Sequence, residues 1–435
     1  MIRLIYNLLF PLGLLLFLPG YIAKMRRRGN YRRNFGQRFA IYSDEVRSRL
    51  AWQPTSWIHA VSVGEVAVAL RLATKLRELD PAFRCVLTTT TTTGYTFAEE
   101  NASTWMEVMY NPIDFWPIMR RAFTAIRPER IILVEAEVWP NLAAEARRRR
   151  IPISLVNARL SPRSERRFRK FRALVAPTFR CLDLICVQES GDVERWTALG
   201  VSRQVIEPVG SIKYDPTDAL SATSKPREVL RGLGIDDSRL ILFGGSTHAG
   251  EEEILATVFL RLRSEFPNLS LIIAPRHVER APEIRQRLKE LGLRVILRRE
   301  VAGENALAPD CLLIDTTGEL HAWYAVATTV FVGKSLAARG GQNPVEPILE
   351  GKPVLFGPHM ENFSALTKSL LANRGAIQVT DPDSLAESIA ELLRKPESRR
   401  QLVKNAQRVL GPHRGATRRT AELVLSRKSR ENGGK

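Results

Sequence analysis

Cysteine is scarce. The 435-residue chain has four, Cys85, Cys181, Cys186 and Cys311, with no CxxC spacing and no nearby histidine set. That pattern excludes a disulfide framework and a zinc knuckle, and it fits a reducing compartment; the four read as buried apolar side chains. Nucleotide fingerprints are missing as well: there is neither a Walker loop nor a GxGxxG. The one triplet resembling a metal-binding DxD, Asp381-Pro382-Asp383, directly precedes Ser384-Leu385-Ala386-Glu387, where helix capping accounts for it. No metal site and no cofactor are expected. No repeat of 20 to 50 residues appears, and acidic residues are in deficit, 46 against 65 Lys and Arg, a net charge of +19. Such an excess suits an anionic partner, whether nucleic acid, an acidic membrane face or a phosphorylated substrate. No DNA- or RNA-binding signature accompanies it.

What is present is the composition of a folded protein, 44% hydrophobic and 26% charged, long enough for two or three domains. From Leu4 to Ala23 no residue is charged, and Leu, Phe and Ile dominate. A helix of about twenty such residues matches a hydrocarbon core. Lys24, Arg26, Arg27, Arg28, Arg32 and Arg33 follow it against Arg3 in front, so the positive-inside rule keeps the body cytoplasmic. Basic residues after the apolar run, and no A-x-A site, argue against a cleaved signal peptide. Pro11, Gly13 and Pro19 leave two readings open, a spanning helix or one lying in the interface. Both hold the protein at a membrane.

Beyond the anchor (1–23), strands alternate with helices. Ser56–Val63, Arg84–Thr89, Ile131–Val134, Ile153–Val156, Leu182–Val187 and Val205–Val209 read as strands, with an amphipathic helix over Glu65–Leu79. A polar linker (216–225) follows. Strands then resume at Leu240–Phe243, Leu269–Ala274, Arg294–Leu297, Leu312–Ile314, Val330–Val332 and Pro353–Phe356. The alternation predicts an α/β protein of two Rossmann-like domains, 24–215 and 226–427, with a cleft between them and a charged tail over 428–435.

Ligands of parallel sheets meet the carboxyl ends of the strands, and the unusual residues fall there. Glu65 ends His59-Ala60-Val61-Ser62-Val63-Gly64-Glu65, in the first turn of a helix. There it could simply favour the helix dipole. Glu135 and Glu137 repeat the arrangement in Val134–Leu142, and two carboxylates at two strand ends can supply a base and its partner. In the second half, Gly244-Gly245-Ser246-Thr247-His248 reads as a loop whose backbone N–H groups could meet an anion where a helix starts near Glu251. Pro275-Arg276-His277 and Asp315-Thr316-Thr317-Gly318-Glu319 follow further strands. In Gly340-Gly341-Gln342-Asn343-Pro344-Val345-Glu346, Asn343 is the expected N-cap, Pro344 the first helical residue and Glu346 the returning carboxylate. Arg163, Arg166, Arg167, Arg169, Lys170 and Arg172, interleaved with Phe168 and Phe171, form a basic stretch. It is either a solvated face or a contact for anionic headgroups.

Taken together, Ser62–Glu65, Glu135–Leu142, Asn157-Ala158-Arg159-Leu160-Ser161, Pro275–His277 and Asn343–Glu346 resemble the 3-deoxy-D-manno-octulosonic acid (Kdo) transferase family of lipopolysaccharide synthesis, from Arg38 to about Ala421. The resemblance implies a GT-B fold, CMP-Kdo as donor, a lipid A precursor as acceptor on the N-terminal domain, and a place on the cytoplasmic side of the inner membrane. Glu65 would then be the general base. Glu135 and Lys213, in Gly210-Ser211-Ile212-Lys213, would stabilise the transition state, and Pro275, Arg276, Thr317, Gly318, Glu319 and Asn343, Pro344, Val345, Glu346 would hold CMP. One departure stands out: where the family has Gly-Gly-Ser-Leu, this chain has Gly333-Lys334-Ser335-Leu336. The lysine either adds a donor contact or alters the loop's backbone. The rivals are a uridine diphosphate sugar transferase of the same fold and, from another class, a membrane-tethered nucleic-acid binder.

Overall fold

Segments such as Ile131–Val134 and Leu184–Val187 are buried at every residue, the pattern of strands covered on both faces by helices. The computed structural model describes residues 3–11, 13, 20, 34–51, 55–136, 138–215, 225–301 and 308–427. The chain divides into two units, Met1–Asp215 with Pro412–Lys435, and Pro216–Gly411.

The first unit is built on a parallel sheet of β1 (Thr55–Ala60), β2 (Cys85–Thr89), β3 (Met106–Tyr110), β4 (Pro128–Val134), β5 (Ile153–Ala158), β6 (Leu184–Val187) and β7 (Ile206–Pro208), in the order β3-β2-β1-β4-β5-β6-β7. The chain runs outward from β1 to β3, then crosses over to β4 and runs outward again. The topological switch therefore lies between β1 and β4, the place where doubly wound sheets take their ligands. Trp57 and Ile131 face one core layer with Phe123, and Ile58 and Ile132 face the other with Leu72 and Leu76.

The second unit repeats the plan with β8 (Leu240–Thr247), β9 (Leu269–Pro275), β10 (Val295–Leu297), β11 (Cys311–Leu313), β12 (Thr329–Val332), β13 (Val354–Phe356) and β14 (Ile377–Gln378), all parallel, in the order β10-β11-β9-β8-β12-β13-β14. Its switch lies between β8 and β12. The edge strands β3 and β14 were not legible in the sequence: β3 is only partly buried and β14 has two residues.

Three expectations are corrected or fall outside the described residues. The segment 412–427 was assigned to the second domain, yet the helix Ala416–Ser426 packs Ala421 and Val424 into the core of the first unit, beside Val66 and Ala69. Residues 244–247 were read as a loop but continue β8, paired with β9 and β12. Glycine is required there, because a Cβ at Gly244 would lie 2.4 Å from Leu255 and one at Gly245 2.6 Å from the Tyr324 hydroxyl. Among the described residues no helix is long and apolar enough to cross a membrane. Most of Leu4–Ala23, the linker at 216–224, the tail at 428–435 and Glu137 lie outside the described residues.

Candidate active site

The helix Val63–Leu79 begins at the mouth of β1 because Ser62 caps it, its Oγ accepting from the Glu65 N–H at 3.4 Å. Glu65 returns the favour. Its Oε1 accepts from the Ser62 hydroxyl at 2.8 Å and its Oε2 from the Val61 N–H at 3.0 Å. This reciprocal cap fixes a half-buried carboxylate at the carboxyl end of β1. Burial raises its pKa above the usual carboxylate range and the charge of Glu135 adds to the rise, while the two hydrogen bonds and Lys213 oppose it. A raised carboxyl in such a place suits proton acceptance. His59, the penultimate residue of β1, is a poorer candidate: it is fully buried, its Nδ1 lies 3.1 Å from the Thr88 carbonyl, and burial lowers its pKa to about 4.

Across the switch, β4 is followed directly by Glu135, whose backbone is left-handed at φ 65° and whose N–H donates to the Val156 carbonyl. A non-glycine residue in that region costs about 1–2 kcal/mol. The turn aims the carboxylate at Lys213, whose Nζ lies 2.6 Å from Oε1. Thus Glu65, Glu135 and Lys213 share one electrostatic neighbourhood.

Lys213 stands on a short turn, Ile212–Tyr214, and that turn is braced from three sides. Asn157, left-handed at φ 51° at the irregularity near the end of β5, accepts through Oδ1 from the Ile212 N–H at 3.1 Å and the Ser211 hydroxyl at 3.2 Å. Arg71 donates to the Ile212 and Asp215 carbonyls. His413, from the returning C-terminal segment, accepts the Ser211 N–H at Nδ1 at 3.1 Å, which fixes its tautomer as Nε2–H. The Asp215 carboxylate in turn accepts the Gly415 and Thr417 N–H groups, each at 2.7 Å. Sequence reading marked Asn157 only as part of a motif and missed His413, because neither residue's chemistry shows until residues some 50 and 200 positions away are brought beside it.

In the second unit the residues expected around a nucleotide gather at the carboxyl ends of β8, β9, β11 and β12. Arg276 follows β9, its N–H donating to the Thr247 carbonyl, with its side chain exposed. Thr317 and Gly318 form an exposed turn after β11, and Glu319 accepts from the Trp323 indole at 3.1 Å. Pro275, Pro344 and Val345 are buried, so they shape the backbone rather than present side chains. Pro344 takes the N-cap position expected of Asn343. Asn343 instead closes a turn, accepting from the Val345 N–H at 3.0 Å and donating to Glu346 at 3.0 Å.

The expected anion site at the helix following β8 is already filled by the protein itself. Glu251, fully buried in the first turn of Glu251–Leu262, accepts the N–H groups of His248 (2.9 Å), Lys334 (2.7 Å), Ser335 (2.9 Å) and Leu336 (3.0 Å). Its neighbour Glu252 pairs with Arg280 and the Thr247 hydroxyl. These two carboxylates occupy the positive helix end and hold the β8 and β12 loops together. The sequence located the helix start but carried no sign that three of the carboxylate's four partners lie more than 80 residues downstream.

Residues 33–216 match the family model for 3-deoxy-D-manno-octulosonic-acid transferase. A 3-deoxy-D-manno-octulosonic acid transferase of Haemophilus influenzae is 32% identical over 399 residues, 91% of each chain. The chain belongs to the Kdo transferase family. It is thereby a glycosyltransferase. The transferase of Chlamydophila psittaci is 30% identical over 96% of this chain and 95% of its own. In fold the chain is also similar to the UDP-GlcNAc 2-epimerase of Neisseria meningitidis, with a TM-score of 0.54 at 13% identity, over 86% of this chain and 100% of that one. That likeness concerns architecture alone.

Proposed function

We propose that this Kdo transferase moves Kdo from CMP-Kdo onto a lipid A precursor with inversion at the anomeric carbon. The observation that carries the reading is the juxtaposition of Glu65 with the Glu135–Lys213 pair at the switch point of the first sheet. Glu65 removes the proton from the acceptor hydroxyl as its oxygen attacks the anomeric carbon. The bond from that carbon to the phosphate oxygen breaks, and CMP leaves with the electron pair. Lys213, oriented by Glu135, stabilises the charge that develops. Arg276 and the turns at 317–319 and 343–346 hold CMP. A leaving group with a single phosphate can be balanced by lysine and arginine, so no metal is assigned a role. Incubation of the full chain with CMP-Kdo and a lipid A precursor should yield a product heavier by one or more Kdo residues by mass spectrometry, undiminished by chelator. Transfer from a uridine diphosphate sugar instead, or activity restored to chelated enzyme only by magnesium or manganese, would sink the reading.

Attachment to the cytoplasmic face of the inner membrane belongs to the same proposal. Residues 3–11 are helical and dock on the first unit through a reciprocal amide pair, Asn7 with Asn141, both contacts at 2.9 Å, and through Phe10 stacked on Phe115. Leu4, Ile5, Leu8 and Leu9 remain exposed, as does Trp116 with Arg120 over its ring. In the basic stretch, Phe168 turns inward onto Phe179 while Phe171 stays exposed among arginines, a pairing that suits anionic headgroups. Removing residues 1–23 should weaken vesicle binding and lower the melting temperature, with turnover on detergent-dispersed acceptor preserved. Undiminished sedimentation of the truncated protein with anionic vesicles would count against the anchor.

A further inference from the structure

Lys334 stands at a place where the backbone conformation favours glycine. Its φ is 57°, in the left-handed region that an L side chain enters at a cost. The turn that imposes this conformation is fixed from both sides. The Lys334 N–H is held by Glu251 at 2.7 Å, its carbonyl accepts from Gly341 at 2.8 Å, and Gly333 before it is pressed against Ser246 and Thr247. These contacts fix the loop through its backbone, independently of the lysine side chain. What remains is the side chain and its charge.

That charge stands at the second sheet's switch point. The lysine stem runs along Gly340, where an added Cβ would lie 3.5 Å from Lys334 Cε. No ion pair of Lys334 occurs among the described residues. Across the β8 end lies His248, whose ring packs edge-on against His277 at 5.7 Å, next to the exposed Arg276. His248 is held below its ordinary pKa by burial first, with Lys334 and His277 contributing, so the lysine's charge reaches this cluster. Meanwhile the backbone N–H groups that could have cradled an anion here, those of residues 248 and 334–336, are taken by the Glu251 carboxylate. Those four N–H groups are closed to an anion, which leaves the side chains of this loop to meet one.

We infer that Lys334 is a donor-binding residue, its ammonium contacting the phosphate of the cytidine nucleotide beside backbone N–H groups that Glu251 already holds. The inference rests on the reading of this unit as the CMP-Kdo site.

Two variants separate charge from backbone. Lys334→Gly keeps the N–H that Glu251 needs and releases the strained φ, whereas Lys334→Met keeps side-chain bulk and strain but removes the charge. CMP and cytidine binding by the full chain would be measured by calorimetry beside thermal melts. Both variants should bind CMP about tenfold more weakly, the scale of one charge-assisted hydrogen bond, with cytidine affinity unchanged. The melting temperature of Lys334→Gly should hold or rise. Wild-type affinity for CMP in Lys334→Met overturns the inference, as does an equal loss for cytidine, which would place the lysine on the nucleoside. Unchanged CMP affinity with a raised KM for CMP-Kdo also overturns it, by moving the contact to the sugar. If the unaltered protein binds no CMP, the failure belongs to the donor-site reading and not to Lys334.

Discussion

Glu65→Gln is expected to lower kcat by about a hundredfold to ten-thousandfold, the range for loss of a general base, while CMP binding stays as it was. The substitution is unusually clean because glutamine is the other residue that completes a reciprocal helix cap. The amide oxygen can still accept from the Val61 N–H while the amide NH2 donates to the Ser62 hydroxyl oxygen, so the helix start and the fold survive, and only the capacity to take a proton is lost. If Glu65 served the helix alone, turnover would be near normal. Steady-state kinetics on the folded, CMP-competent variant decide the matter, and near wild-type kcat would falsify the assignment and direct suspicion to Glu135.

Glu251→Ala is expected to do damage of another kind. Four N–H groups from two loops lose their common acceptor at a site closed to solvent. Each unpaired buried group costs about 1–3 kcal/mol. Even with water entering the space left behind, a loss of at least about 3 kcal/mol follows for the second unit. The β8 and β12 loops would separate, and CMP binding would go with them. Denaturant unfolding monitored with and without CMP reports both effects: an earlier transition, no longer delayed by nucleotide. Glu251→Gln, which retains one oxygen acceptor, should fall between. A transition at the wild-type midpoint in Glu251→Ala would show that the carboxylate does not hold the loops.

Apart from the edge strands β3 and β14, both sheets were legible because their strands are short apolar runs, set apart by their length and by the helical segments between them. Boundaries moved where the deciding contact was remote. The helix assigned to start at Glu65 starts at Val63, since Ser62 caps it. Strand β8 runs four residues past Phe243, since glycine there is a packing requirement set by Leu255 and Tyr324 rather than a signal of a loop. The carboxylates at strand ends could be picked out because charge is unexpected after a buried strand. Their supports could not. Asn157, His413 and Glu251 are ordinary residue types whose roles arise from hydrogen bonds spanning roughly 50 to 200 residues of chain. No local pattern encodes such partners.

The return of the chain at Pro412 bears on the order of assembly. The last described helix, Ala416–Ser426, supplies Ala421 and Val424 to the core of the first unit, and its entry is pinned to Asp215 and Ser211. A polypeptide emerging from the ribosome N-terminus first therefore makes the first sheet early and yet lacks its last layer until the whole second unit and the helix beyond it have been read. Through that interval Ile212 and Val209 have no cover from this helix, and the turn bearing Lys213 has no His413 to hold it. Closure of the first unit thus follows that of the second: a chain stopped short of Pro412 could have completed the second unit and would still leave the first one open.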